Sequence, residues 1–364
     1  MIKILHIVED YSFSSGGIRT VVKNLTEELS FENFTSYILT SSNEKDDKHV
    51  YIVDSETRPW LYSKNWKIKI EKLLLEKKID CIHIHGTWMY PQYLAAKFSF
   101  QNKIPYIITP HGMFEPWLWG KGTLKKKIYF NLLTKKYFSK ATIVHAITPQ
   151  EKQNLKELLS TNRIIEIPNL IKNQKNDLVP EINKERYIFY IGRLDEIKGI
   201  DLLIKSYINI NPKSVKLKIA GGFNKYKEVL EKIISNSQID TNNIEFLGFV
   251  KGKEKKRLIK NAIVLATPSH SEVIGMVNLE AAILKTPVIT TYQTGLNTLW
   301  NENGGFLINP NQEELTSSLR KVLSWTVEKR KEEGEKLYNF VLKKYTWYNR
   351  IADWEKLYNN VVNG

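Results

Sequence analysis

The chain has 364 residues, enough for two domains that each bury a core, and its 42% hydrophobic and 26% charged content is that of a globular protein, not a disordered one. With 54 basic against 39 acidic residues the formal charge is +15, which calls for an anionic partner: nucleotide phosphates, an acidic membrane surface or nucleic acid. Cys81 is the single cysteine, so no intramolecular disulfide forms, and no apolar run approaches the ~20 residues of a membrane-spanning helix.

Met1–Glu9 is too short and interrupted for a signal peptide, so a cytosolic protein is expected. Ile2–Val8 reads as a buried strand, followed by the turn Ser12-Phe-Ser-Ser-Gly-Gly-Ile18 and an amphipathic helix, Arg19–Leu29. A glycine-rich turn of this kind sets backbone N–H groups and a helix N-terminus beside an anion. Ser-Ser-Gly-Gly is not Gly-x-Gly-x-x-Gly, however, which weakens a dinucleotide reading. Strand-like runs recur at Tyr37–Leu39, Tyr51–Val53, Asp80–Ile84, Tyr106–Thr109 and Thr142–Ala146, alternating with helical stretches. That rhythm argues a parallel sheet covered by helices.

Two of these strands end in His-Gly, at His85-Gly86 and His111-Gly112. Ligands of open parallel sheets gather at such strand ends. One histidine there is more often structural than chemical; two such pairs reverse the preference. Residues 120–140 then carry seven lysines and no acid, with Leu124, Ile128 and Leu132 on one helical stripe. A basic amphipathic helix of this kind either lies on an anionic membrane or packs its stripe into the core with a solvated lysine face. Gly120-Lys121-Gly-Thr123 is no phosphate loop, because Glu115 stands where the first glycine belongs.

Thr148 before Pro149 is a helix cap, Ile164–Ile171 closes the first half, and the polar stretch 172–186 reads as the interdomain linker. The second half opens on Tyr187-Ile-Phe-Tyr-Ile-Gly-Arg-Leu-Asp-Glu-Ile-Lys-Gly-Ile-Asp201, a strand whose turn carries Arg193 and Lys198. Arginine offers phosphate oxygens a planar fork and lysine a mobile point charge. Val215–Ala220 and Ile244–Leu247 continue the strand–turn–helix rhythm. After the strand Ala262–Ala266, Ser269, Ser271 and Gly275 supply a turn, and Met276–Leu284 has helical spacing. Glu272 falls in the turn, and Glu280 lies roughly 7 Å along the helix at 1.5 Å per residue. Pro287–Thr291 and Asn303–Ile308 are further strands, Glu313–Lys344 is a charged helical region, and Tyr345–Tyr358 a last helix.

The unit Glu272-x7-Glu280, with Gly275, Ala281-Ala282 and Pro287-Val288 in its frame, resembles the donor-site motif of family-four retaining glycosyltransferases. Gly192-Arg193-Leu-Asp-x-x-Lys198-Gly199 and Gly16-Gly17 resemble that family too. Ile104–Trp117 is similar to its subgroup that builds bacterial surface polysaccharides such as O-antigen and capsule. Val273-Ile274 departs from the usual Gly-Phe, and Leu170 from the usual glycine of Pro-Asn-Gly.

The resemblance implies an α/β protein of GT-B type: two Rossmann-like doubly wound domains facing a central cleft. It places the acceptor-side domain at 1–171, the donor domain at 187–345, and a helix crossing back at 346–364. It implies transfer, with retention, from a nucleotide diphosphate sugar (UDP- or GDP-linked) to a saccharide or polyprenyl-diphosphate-linked acceptor. Arg193 and Lys198 would serve the donor diphosphate, Glu272 the sugar hydroxyls and Glu280 the ribose, with Gly192, Gly275 and Met276 completing the donor site. His111 would approach the donor sugar, His85 would shape the acceptor side, and Gly16 and Gly17 would lie close to both substrates.

No Asp-x-Asp occurs, so metal independence and no cofactor are expected. The location expected is the cytoplasm, with peripheral contact at the inner membrane face through 121–140. A sugar-nucleotide epimerase on the same plan is the nearer alternative. A basic nucleic-acid-binding protein is the farther one, and it lacks a recognition helix, zinc ligands or an aromatic RNA platform; no nucleic-acid partner is expected.

Overall fold

The computed structural model describes residues 1–12, 15, 17–43, 47–54, 59–115, 123–172 and 185–364. The chain divides into two units, one of residues 1–170 with 350–364 and one of residues 171–349. The first is built on β1 (Ile2–Ile7), β2 (Phe34–Thr40), β3 (Val50–Ile52), β4 (Cys81–His85), β5 (Tyr106–Thr109), β6 (Ile143–Ala146) and β7 (Ile164–Glu166). They form one parallel sheet in the order β3-β2-β1-β4-β5-β6-β7. The second unit has β8 (Tyr187–Ile191), β9 (Lys216–Ala220), β10 (Ile244–Gly248), β11 (Val264–Thr267), β12 (Val288–Thr291) and β13 (Phe306–Ile308), in the order β10-β9-β8-β11-β12-β13. Each order starts in the middle and reverses once, the doubly wound arrangement of a Rossmann-like domain. Both units are thus doubly wound parallel α/β domains, the class expected from the sequence.

The central strands are near-continuous apolar runs because helices cover both faces of a parallel sheet. Ile4, Leu5, Ile7, Ile82, Ile84, Ile107 and Ile108 are fully buried in the first unit, and Ile188, Phe189, Leu217, Ile219, Val264 and Leu265 in the second. Cys81 is buried among them and its thiol is pushed up by desolvation. The polar exceptions share one side of the first sheet. His6 pairs in register with His83, and His85 with Thr109. Side chains two residues apart share a face, so Ser36, His6, His83, His85, Thr109 and His145 line one side. The helix Trp347–Asn363 closes over that side. Trp354, Leu357, Tyr358 and Val361 are buried there, each contributing roughly 1.5–3 kcal/mol as a large apolar group removed from water.

The structure overturns one reading of the basic stretch and resolves the charged helical region into separate helices. The basic stretch is not one helix packed by its aliphatic stripe. It runs Thr123–Tyr129, passes through a π-helical turn at Phe130–Thr134, and ends as Lys135–Phe138. Its buried side chains are Phe130, Thr134 and Phe138, whereas Leu124, Ile128 and Leu132 are 73%, 50% and 75% exposed. Aromatic rings outbid leucines for the core here: Phe114 meets Phe130 and Phe138 edge-on at 5.2 and 6.2 Å. Lys121, at the start of that stretch, and most of the expected linker lie outside the described residues. The charged region 313–344 is two helices, Gln312–Leu323 and Val327–Tyr345, each N-capped by its own side chain, Asn311 and Thr326. Among the described residues no helix is long and apolar enough to cross a membrane.

Candidate active site

In the second unit β8 and β11 are neighbours in the sheet, and the winding reverses between them. The loops leaving their carboxyl ends carry most of the residues singled out from sequence. β8 runs into Gly192-Arg193, where Tyr190 Oη donates to Arg193 O at 2.9 Å and a Cβ at 192 would lie 2.7 Å from that hydroxyl. Asp195 accepts from Ile197 N at 3.1 Å and starts the turn Glu196–Lys198. Gly199 closes the turn at φ +63°, and a Cβ there would sit 2.1 Å from Pro268 O. Only glycine meets both demands. The turn is thereby clamped to the loop after β11, with His270 N donating to Ile197 O at 2.8 Å.

The clamp brings Lys198 Nζ to 2.9 Å from Glu272 Oε1, with the two side chains 17% and 24% exposed. Ser269 Oγ faces the other carboxylate oxygen at 3.4 Å, and Glu272 N donates to Gln293 O at 3.1 Å. Arg193 reaches out to solvent, 76% exposed and 3.8 Å from Asp195. Helix Met276–Ile283 follows with Gly275 at its cap position and no side-chain cap; neither Ser269 nor Ser271 serves as one. A Cβ at Gly275 would lie 2.8 Å from Asn278 Nδ2 and 3.0 Å from Glu272 Oε2. The helix N-terminus therefore presents backbone N–H groups beside the Lys198–Glu272 pair, an arrangement suited to an anion. Glu280, further along that helix, pairs with Lys255, whose Nζ stands 2.5 Å from Oε2 but off the direction of a hydrogen bond.

Sequence reading passed over the groups that hold this site in place. Thr267, Asn278 and Thr290 are buried beneath it. Thr267 Oγ1 donates to Asn278 Oδ1 at 2.7 Å, Asn278 Nδ2 donates to Thr290 Oγ1 at 3.3 Å, and Thr290 Oγ1 donates back to Thr267 O at 2.9 Å. This closed ring ties the helix start to both flanking strands. A buried asparagine in an apolar helix was the available signal. Lys255 gave none, being one of several lysines in the helix Gly252–Asn261.

In the first unit β1 and β4 flank the equivalent reversal, and β4 ends at His85. Gln92 Nε2 donates to His85 O at 3.0 Å and to Glu9 Oε2 at 3.2 Å. His111 follows β5 with φ +55°, a conformation that a non-glycine residue adopts at a cost of about 1 kcal/mol or more. Glu151 holds that turn: its buried carboxylate accepts from Gly112 N at 2.6 Å and Ile147 N at 2.7 Å, while Thr148 caps its own N–H at 3.0 Å. Burial pushes the Glu151 carboxyl up to about 7 against the pull of those two donors.

His85 Nδ1 lies 3.0 Å from His111 Nε2, and both belong to a cluster with His6, His83 and His145. Burial pushes His6 down to about 3 and His145 to about 4, and lowers His83, His85 and His111, so all five are neutral near pH 7. Gly17 opens the helix Gly17–Leu29 with nothing within 4 Å of where a Cβ would stand, so packing does not demand glycine there. Gly16 lies outside the described residues.

Comparison with known proteins matches two family models in succession. "Glycosyltransferase Family 4" covers residues 15–175 and "Glycosyl transferases group 1" residues 172–340. An uncharacterized glycosyltransferase of Methanocaldococcus jannaschii is 27% identical over 95% of both chains. An uncharacterized 41.2 kDa protein in the cps region of Klebsiella pneumoniae is 25% identical over 84% of this chain and 86% of its own. Among solved structures, Anabaena HepE in complex with UDP-glucose superposes with a TM-score of 0.76 at 16% identity, covering 98% of this chain and 100% of its own.

Proposed function

The chain belongs to the family-four glycosyltransferases, and from that premise we propose that it moves a sugar, with retention at the anomeric carbon, from a nucleotide diphosphate sugar to a saccharide or polyprenyl-diphosphate-linked acceptor in bacterial surface-polysaccharide assembly. The observation that carries the reading is the Lys198–Glu272 pair at 2.9 Å, set beside an uncapped helix N-terminus at the reversal point of the second sheet. A leaving nucleotide diphosphate gains negative charge as the glycosidic bond breaks, so catalysis needs fixed positive charge where that charge appears. Arg193, Lys198 and the N–H groups from Met276 onward supply it without a metal ion. Glu272, next to Lys198, is assigned to the sugar hydroxyls and Glu280 to the ribose. Gly192 and Gly275 let backbone approach the donor. HepE, of the same fold, binds UDP-glucose, which favours uridine as the base; the cps-region relative favours a capsule-type product.

In the first unit His111 is assigned to the donor sugar and His85 to the acceptor side. Gly17, free of any packing demand, is assigned to close approach of substrate. The test is turnover of UDP- and GDP-sugars by the purified protein, followed as slow hydrolysis and then with acceptor present. Release of nucleotide diphosphate with a retained anomeric configuration is expected. An acceptor-independent product with an altered sugar points instead to an epimerase.

The outward stripe Leu124, Ile128 and Leu132, interleaved with exposed Lys125, Lys127 and Lys136, favours a second element of the proposal, peripheral contact with an anionic membrane. Apolar side chains facing solvent between lysines gain from both the acyl boundary and the negative headgroups. Replacing Lys125 and Lys127 by Glu is expected to weaken binding to vesicles containing phosphatidylglycerol while leaving UDP affinity unchanged. Unaltered sedimentation with those vesicles removes the membrane from the proposal.

A further inference from the structure

The histidines of the first unit form two hydrogen-bonded chains that differ in one respect. A neutral imidazole has one N–H and one bare nitrogen, so each bond between neighbours fixes which ring donates. One chain runs Tyr358 Oη, His83, Thr109 Oγ1, His145, Ile167 O, at 2.7, 2.7, 2.9 and 2.8 Å. Ile167 O accepts only, so His145 carries its proton on Nε2 and leaves Nδ1 bare. Thr109 therefore donates to His145 and accepts from His83 Nε2–H, and Tyr358 donates to His83 Nδ1. This chain has a single solution.

The other chain runs Ser36 Oγ, His6 Nε2, then His6 Nδ1 to His85 Nε2, then His85 Nδ1 to His111 Nε2, at 3.3, 3.0 and 3.0 Å. It ends on a hydroxyl, which both donates and accepts. Two solutions exist. Either all three rings carry the proton on Nε2 and His111 presents a bare Nδ1, or all three carry it on Nδ1 and His111 presents an N–H. Among the described residues nothing is hydrogen-bonded to His111 Nδ1.

We propose that His6, His85 and His111 are one tautomeric unit, and that Ser36 and His6, which do not touch His111, are positioning residues that set which face its Nδ1 offers. Protonation does not interrupt the unit near pH 7, because burial keeps the rings neutral. A metal reading is weaker. His6, His83 and His85 hold ligand atoms within 4.8 Å of one another, but every one of their nitrogens already faces a hydrogen-bond partner. The His6 and His85 rings are also stacked at 19° and do not converge on a point. The consequence for catalysis rests on the function proposed above: a bare Nδ1 accepts from a sugar hydroxyl, whereas an N–H donates to a sugar oxygen. The tautomers themselves do not depend on that function.

The experiment is long-range 1H–15N correlation NMR of the full chain labelled with 15N-histidine, at pH 8, where each tautomer has a distinct pair of ring-nitrogen shifts. Expected are one shared tautomer, or one shared exchange ratio, for His6, His85 and His111, and fixed Nε2–H for His83 and His145. Ser36→Asp offers only acceptors and is expected to drive all three rings to Nε2–H. Ser36→Lys offers only donors and is expected to drive them to Nδ1–H, with His83 and His145 unmoved in both. Unlike tautomers among the three wild-type rings overturn the proposal, as does the same His111 tautomer in both variants. Stoichiometric zinc that shifts the His6, His83 and His85 nitrogens together would mark them as ligands and overturn it too. Should a strand variant fail to fold, the wild-type spectrum decides alone. A turnover assay on the folded Ser36 variants then separates the two claims: equal rates with opposite tautomers end the catalytic role and leave the tautomeric unit standing.

Discussion

The two sheets share a winding order, yet the polar groups at their carboxyl ends are handled in opposite ways. On the first sheet five of the chain's seven histidines are gathered in and around a covered face and kept neutral. On the second, Arg193, Lys198, Glu272, Lys255 and Glu280 stand in ion pairs at the rim, partly open to solvent. Desolvation accounts for the difference. A charge sealed beneath the closing helix costs several kcal/mol unless paired, so groups that stay neutral are tolerated there. A charged ligand, in turn, needs partners of opposite charge within reach. Polar residues in a parallel sheet thus report different jobs according to depth: fixing geometry below, meeting charge above.

The largest expected effect breaks the first half of that comparison. Each buried histidine has its pKa lowered in the folded protein, so the unfolded chain binds more protons below about 6.5. The stability these rings contribute is present above that value and is lost as pH falls toward their folded values, about 3 for His6 and about 4 for His145. One unit below 6.5 the loss for His6 or His145 is on the order of 1 kcal/mol, and His83, His85 and His111 add to it in the same direction. Glu151 opposes them in part. Its raised carboxyl contributes stability that is full below its unfolded value and is lost as pH rises through about 7. Urea melts at pH 7.5 and 5.5 are expected to show the first unit losing stability on acidification. Equal midpoints would mean that the rings are protonated in place.

The next effect tests the second half. Lys198→Ala removes a fixed cation from the site where leaving-group charge is proposed to develop, and the turnover number is expected to fall 10²–10³-fold, about 3–4 kcal/mol of transition-state stabilisation. Arg193→Ala is expected to lower the rate more than it raises the donor KM, for the same reason. If either variant turns over normally while donor KM rises, the cations bind the ground state only.

How much of this was legible in the sequence follows from how local each signal is. Strand, Gly-Arg, Lys and Gly fall within Tyr187–Gly199, and that one segment already sets two cations on one turn; the structure adds the clamp to the loop after β11 that brings Lys198 to Glu272. The parallel, helix-covered sheets were legible from alternating apolar runs of strand and helix length, whereas the double winding was expected only from the family resemblance. The histidine chains were not. They join β1, β2, β4, β5, β6 and the closing helix, and the His83–Tyr358 bond alone spans 275 positions. Only the presence of His6, His83 and His85 inside otherwise apolar strands hinted at them. Periodicity likewise found the stripe Leu124, Ile128 and Leu132 without showing which way it faces, because the competing aromatic face, Phe130 and Phe138, depends on Phe114 from another element.

The smallest effect separates the two carboxylates of the charged rim. Glu280→Gln is expected to weaken binding of bare UDP roughly tenfold, since a charge-assisted hydrogen bond to ribose is worth about 1.5–3 kcal/mol. Glu272→Gln is expected to leave UDP affinity unchanged and depress transfer, because its proposed partner is the sugar. Lys255 sharpens the distinction. It stands 2.5 Å from Glu280 Oε2 and holds that carboxylate by charge. Lys255→Ala is accordingly expected to change UDP affinity by less than about threefold, the scale of a partly exposed ion pair. Calorimetry with UDP on the three variants reads all of this directly. A loss of UDP binding in Glu272→Gln but not in Glu280→Gln reverses the two assignments, and a Lys255→Ala loss as large as that of Glu280→Gln makes the lysine itself the nucleotide contact.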